Sequence, residues 1–247
     1  MRNIWTIASR EYKHYFISPI AYVVAFMFLA TLGIIFALTI LSANESALYY
    51  PYAPDAGSVT GPMAFLLLLA TPALTMRLLA DEQRMGTMEL LLTAPLRDWE
   101  LVLGKWLGAF LFIASLAGIS LIFPLVLNFL VEPGIDKGIL FAGYLGVLLV
   151  AAAMLGLGVG ISAMFSNQVA AFFVSLVIFV VLWWLVGVPA SILPSGGEVF
   201  RYLDMASHFY ETMVRGVINL ADVVYYLSLT ALGLFAGTVA VEIRRWR

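Results

Sequence analysis

The chain has 247 residues, of which 63% are hydrophobic and only 11% charged, and its mean hydropathy is +1.00. Soluble domains carry charge on about a quarter of their residues, so an ordinary water-soluble enzyme is excluded and most of this surface must meet lipid. The formal net charge of -2 excludes a strongly basic nucleic-acid binder, and the absence of cysteine excludes a disulfide framework, thiolate metal sites and cysteine nucleophiles.

Residues 2 to 16 place Ile4, Trp5, Ala8, Tyr12, Tyr15 and Phe16 on one arc of a helical wheel and Arg2, Thr6, Ser9, Arg10 and Lys13 on the other. That pattern predicts an amphipathic helix lying in the membrane interface, serving either as an elbow beside a partner or as a basic anchor. Ser18-Pro19 then breaks it, because proline disfavours helix at the residue before it and suits the first turn of the next.

A spanning helix needs about 20 apolar residues to cross about 30 Å of hydrocarbon. Six stretches qualify, at roughly 20–41, 61–80, 101–126, 139–165, 169–188 and 223–241. The first has an apolar run longer than a signal-peptide core and is expected to be retained. Six spans put both termini on one side, and ten of the 13 Lys and Arg fall on that side. The positive-inside bias makes it cytoplasmic.

Residues 43–60 read as an outer loop with Glu45 and Asp55, whereas residues 81–100 form a charged cytoplasmic loop. Within it, Gly86 allows a sharp turn, Thr87 is a candidate N-cap, Glu89 suits the first turn of a helix and Pro95 stops it. A short leucine-bearing helix over 86–94 follows, either self-packed or docked on a partner. Arg77, near the end of the second span, could gate a pathway, snorkel, or pair with Asp81 one turn later.

Further on, Pro72 and Pro124 should kink the second and third spans. Ala152, Gly156 and Gly160 form a stripe that allows close helix approach in the fourth. A turn at 166–168 forces a hairpin between the fourth and fifth, and Trp183-Trp184 reads as an aromatic-belt anchor. Over 198–218, apolar residues recur at three- and four-residue intervals with Arg201, Asp204, His208 and Glu211 between them, predicting two outer helices that lie on or dip into the surface. His208 reads as a hydrogen-bonded surface histidine rather than a metal ligand.

The chain has no G-x-x-x-x-G-K-[ST] loop, so any nucleotide-derived energy must come from another subunit. It also lacks G-x-S-x-G, H-E-x-x-H and a carboxylate pair inside a span. The fold expected is all-α, one polytopic membrane domain over 1–247, and the function class is not an enzyme.

Three segments carry a family resemblance. They are Arg10-Glu11-Tyr12 with Tyr15-Phe16-Ile17-Ser18-Pro19-Ile20-Ala21-Tyr22; then Arg77 to Glu82, Gly86-Thr87, Glu89-Leu90-Leu91, Ala94-Pro95 and Gly104-Lys105; and last His208-Phe209, Arg215-Gly216-Val217-Ile218 and Asp222 to Tyr226. In these the chain resembles type-2 ABC transporter permeases, and most nearly their gliding-motility GldF-like branch. Asn219-Leu220-Ala221 departs from a more polar, acidic turn in that pattern.

The resemblance implies that Glu82, Gly86, Thr87, Glu89, Leu90 and Leu91 belong to a coupling helix and its flanks, seated on a separate ABC ATPase that binds ATP and Mg. It implies that the elbow, with Trp5, Arg10, Glu11 and Tyr12, lies beside that ATPase, and that His208, Gly216 and Asp222 form an outer motif. It further implies a second permease subunit, a path lined by the first, second and fifth spans, a GldG-like auxiliary envelope protein, surrounding membrane lipid, no nucleic acid, and residence in a bacterial inner membrane as an exporter. The competing reading is a non-transporting anchor or mechanical component of an envelope complex.

Overall fold

The computed structural model describes residues 2–46, 54–87, 96–132, 134–192 and 197–245, and all regular structure among them is helical. Six helices or helix pairs are long and apolar enough to cross a bilayer: Pro19–Ala43, Gly57–Arg84, Asp98–Leu130, Lys137–Met164, Gln168–Ala190 and Leu220–Arg245. They fall where the apolar runs place them. The chain is therefore a multi-pass membrane protein.

Helix α1 (Arg2–Tyr15) precedes α2 (Pro19–Ser46), which forms the first span, and Ser18 sits buried in the bend between them. The second span is α3 (Gly57–Thr75) followed, after a turn at residues 76–79, by α4 (Ala80–Arg84). Pro72 lies inside α3, and the helix ends just past it, where the Met76 N–H still donates to the Pro72 carbonyl. The third span is α5 (Asp98–Ser120) and α6 (Ile122–Leu130). They part at Leu121, three residues before Pro124, because proline has no N–H and its ring crowds the preceding turn.

The fourth span, α7 (Lys137–Met164), is the axis of the protein, capped by Asp136, which accepts from the Gly138 and Ile139 N–H groups. Asn167 caps α8 (Gln168–Val180) in the same way and closes a short hairpin. A π-helical turn, Val181–Leu185, continues the fifth span into α9 (Val188–Ile192). Then come α10 (Gly197–Leu203), α11 (Ser207–Tyr210), a 3-10 turn at Met213–Arg215, and α12 (Leu220–Arg245), the sixth span.

The core forms where α7 meets α3 and α12. Along α7 the residues Gly156 and Gly160 press against α12 at Thr230 and Gly233. A Cβ built on Gly233 would lie 2.3 Å from the Gly156 carbonyl carbon, so at this crossing backbone meets backbone. Lipid supplies no hydrophobic drive between helices, and close approach compensates through dispersion. Ala152, the third residue of the predicted stripe, is also buried, and its carbonyl accepts from the Trp106 indole N–H.

One end of the molecule carries both chain ends. Arg245 pairs with Asp98 at 2.8 Å, and Arg244 donates to the Met164 carbonyl. This end is called the terminal face below.

Candidate functional site: the charged junction at the terminal face

Helix α1 packs along α5 through two glycines. Cβ atoms on Gly104 and Gly108 would strike Ile7 and Glu11 at 2.7 and 2.6 Å, so the two helices touch without intervening side chains. The packed face holds Ile7, Ala8 and Tyr15, with Glu11 and Tyr12 partly covered beside them. Of the predicted elbow residues, Trp5 instead turns outward at 61% exposed, as does Phe16. The predicted arc was therefore offset, because it omitted Ile7 and counted two aromatics that suit the headgroup level. Tyr12 hydrogen-bonds Ser115, 2.9 Å away on α5.

This close approach brings charge to a single point. Lys105, one turn past the capping end of α5, is 2% exposed, and its Nζ lies 2.7 Å from Glu82 Oε1 and 3.0 Å from Glu11 Oε1. Arg10 adds a looser contact, 3.4 Å from Glu11 and 4.0 Å from Glu82. Burial pushes the Glu11 carboxyl upward, but the Lys105 ammonium, and then Arg10, outweigh it and hold the group below its ordinary range. One buried ammonium thus joins α1, α4 and α5.

Helix α4 is fastened on its other side to the hairpin between the fourth and fifth spans. Ser162 Oγ accepts from the Leu79 and Ala80 N–H groups, both at 3.1 Å, satisfying donors that a short helix leaves open at its start. Gln83 donates to the Ala163 carbonyl at 2.8 Å, and Gln168 donates to Asp81. Asp81 therefore serves Gln168, while Arg77 reaches the Ser18 hydroxyl at 3.0 Å; the predicted Arg77–Asp81 pair is not formed.

After α4 the chain turns. Gly86 has φ +71, a left-handed conformation that glycine adopts without strain. The Thr87 hydroxyl donates to the Glu82 carbonyl at 3.3 Å, stitching the turn back to the residue that holds Lys105. Glu89, Leu90 and Leu91, and with them the predicted helix over 86–94 beyond Thr87, lie outside the described residues.

At the opposite face, the predicted outer residues do assemble. His208 Nδ1 lies 2.6 Å from Asp222 Oδ1, and its Nε2 lies 2.8 Å from the Tyr202 carbonyl oxygen. A carbonyl only accepts, so Nε2 carries a proton, and the Nδ1–Oδ1 contact holds a second one on ring or carboxyl. The ring stacks on Tyr225 with centroids 4.2 Å apart and its side chain is 10% exposed, so it is inside the outer cap rather than on the surface. Gly216, φ +85, ends the 3-10 turn, and a Cβ there would also press Ile139 at 3.0 Å. Tyr225 and Tyr226 donate to the Leu203 and Met205 carbonyls, tying α12 to this cap.

The π turn was not visible in the sequence. There the Leu182 carbonyl accepts from the Met205 N–H at 2.9 Å, hooking the outer cap onto the fifth span. Trp183, 1% exposed, packs on Phe209 and Tyr210. It is therefore a cap residue, and of the predicted aromatic-belt pair only Trp184 faces outward.

Sequence reasoning named Glu82 and Glu11 but left Lys105 as one letter of a motif. The signal was present, since a lysine followed by Trp106-Leu107-Gly108-Ala109-Phe110 needs a counter-charge.

Residues 6–241 match the model of the family described as ABC-2 family transporter protein. None of the curated proteins matches the chain.

Proposed function

The chain belongs to the ABC-2 family of transporter proteins and is a membrane permease subunit, not itself catalytic, and from that premise we propose that it converts ATP hydrolysis on a separate, Mg-dependent ATPase subunit into helix movement through the Lys105 junction. The terminal face is then cytoplasmic. The ATPase seats on the segment from Gly86 to Leu92, with Glu82 and Glu89 at its flanks and the elbow residues Trp5, Arg10, Glu11 and Tyr12 beside it.

The observation that carries this reading is the double engagement of Lys105. Force arriving at the Gly86 turn passes from Glu82 through one ammonium to α5 and to Glu11 on α1. The Ser162, Ala163 and Gln168 contacts of α4 pass it to the hairpin of the fourth and fifth spans. A linkage built on ion pairs in a poorly hydrated setting is stiff, because breaking it exposes unpaired charge.

A second permease subunit completes the path. The first, fifth and sixth spans are the least covered by their own chain, whereas most of the second is buried. Phe65 and Leu69 are its exposed side chains, and Phe65 meets exposed Trp184 of the fifth span at 5.6 Å. That strip suits amphiphilic cargo carried outward across a bacterial inner membrane.

Two substitutions test the coupling role in the complex with its co-purified ATPase. Gly86→Pro imposes a negative φ where the chain needs a positive one, and Glu82→Arg sets a cation against Lys105. Both should abolish cargo-stimulated ATP hydrolysis while leaving membrane insertion and basal hydrolysis of the ATPase intact. Stimulation at the wild-type level in both variants would refute the assignment.

A further inference from the structure

A groove of about 390 Å³ lies between α1, the start of α2 and the terminal end of the second span. Its cations divide into two groups. Lys105 and Arg10 are engaged by Glu11 and Glu82. Lys13 and His14, on the last turn of α1, and Arg77, from the second span, have no carboxylate within ion-pairing distance among the described residues. The third acid in the lining, Asp81, is occupied by Gln168. What remains toward the groove is positive.

Tyr15 also lines it, and its buried hydroxyl has no hydrogen-bond partner among the described residues. A buried, unsatisfied donor costs about 1–3 kcal/mol, so one that persists calls for an acceptor. Burial first, and then Glu11, push the phenol well above its ordinary range, which keeps it a donor.

The lip of the groove is apolar. Ile17, 77% exposed, and Ile20, also exposed, continue directly into the first span. Cations and a hydroxyl at the interface, beside bare aliphatic surface that leads into the hydrocarbon, match the two halves of a lipid. A free anion would leave the isoleucines uncovered.

We propose that this groove binds the phosphate headgroup of an anionic phospholipid from the leaflet at the terminal face, with Lys13 and Arg77 on the phosphate, Tyr15 donating to it, and the acyl chains lying along Ile17 and Ile20. The lipid would fill the space between elbow and second span and couple their positions.

The test uses the full chain in nanodiscs made of equal parts phosphatidylcholine and phosphatidylglycerol, with retained lipid identified by native mass spectrometry. Phosphatidylglycerol should be retained in preference. Lys13→Gln and Arg77→Gln should each lower that retention by about fivefold, equivalent to about 1 kcal/mol per basic residue near a membrane surface. Lys13 is exposed, so its replacement leaves the fold intact even if loss of the Arg77–Ser18 contact does not. Equal retention of the two lipids, or an undiminished preference in Lys13→Gln, would overturn the proposal. So would phosphatidylcholine discs in which added inorganic phosphate is retained as well as phosphatidylglycerol is.

Discussion

Replacing Lys105 with methionine keeps length and volume but removes the ammonium. Glu11 and Glu82, with side chains 13% and 15% exposed, would then face each other across the vacated position with only Arg10 nearby, itself 62% exposed. At an effective dielectric of about 20, each contact near 3 Å is worth about 5 kcal/mol before desolvation. Desolvation cancels much of that, and loss of one partner from a buried pair typically costs about 3–5 kcal/mol. We expect that loss in reversible denaturant unfolding of the reconstituted chain followed by tryptophan emission, with Trp106 adjoining the site.

The same substitution should reverse a pH dependence. In the native protein Glu11 is held below the ordinary glutamate value of 4.5, so its stabilisation is complete above that value and drains away as pH falls through the lower folded value. Without Lys105, burial is the largest remaining influence and raises the carboxyl instead. Acidification through that raised value should then stabilise Lys105→Met. Neutralising all three positions, with Glu11→Gln and Glu82→Gln added, should recover most of the loss and flatten the profile. A loss under about 1 kcal/mol for Lys105→Met, or no recovery in the triple variant, would refute the idea that Lys105 is held by its two carboxylates.

Other consequences can be measured separately. Gly233→Ala places a Cβ 2.3 Å from the Gly156 backbone, so α7 and α12 must separate; a destabilisation of about 1–3 kcal/mol is expected in the same unfolding assay, and none would mean that the crossing is looser than described. Gly86→Ala meets nothing within 4 Å, so only its left-handed φ should count, costing about 1 kcal/mol without steric loss. Asp222→Leu leaves His208 Nδ1 without a partner and should weaken amide protection over Met205–Gly216 in hydrogen exchange by about 1–3 kcal/mol, whereas Asp222→Asn, whose amide can donate to that nitrogen, should recover most of it; equal effects would show that the contact is not a hydrogen bond that matters.

The six spans were legible because a run of about 20 apolar residues has few other fates. The hairpin at Asn167 and the turn at Gly86 were legible because capping and left-handed backbone have local chemical signatures. The junction was not, since Lys105 and Glu11 are 94 positions apart in the chain and nothing local records their meeting. Arg77 shows the same limit: Asp81 is near in sequence, yet helix packing delivers Ser18, and Asp81 goes to Gln168. The elbow face was misjudged for a different reason, because at an interface aromatic residues such as Trp5 face the headgroups and cease to mark the inward side. The outer residues His208, Gly216 and Asp222 were picked out by resemblance alone, and their hydrogen-bond geometry emerged only with the fold.

The wide turn at Val181–Leu185 sets a constraint on chain length as well as on composition. Each residue of an α-helix advances the azimuth by about 100°, so excising a single residue from this stretch would relax it to ordinary winding and swing everything beyond it around the axis. Trp183 would leave Phe209, and Met205 would lose the Leu182 oxygen it now reaches. Insertions and deletions in the fifth span should therefore be tolerated before residue 181 or not at all, even where every substituted residue is equally greasy.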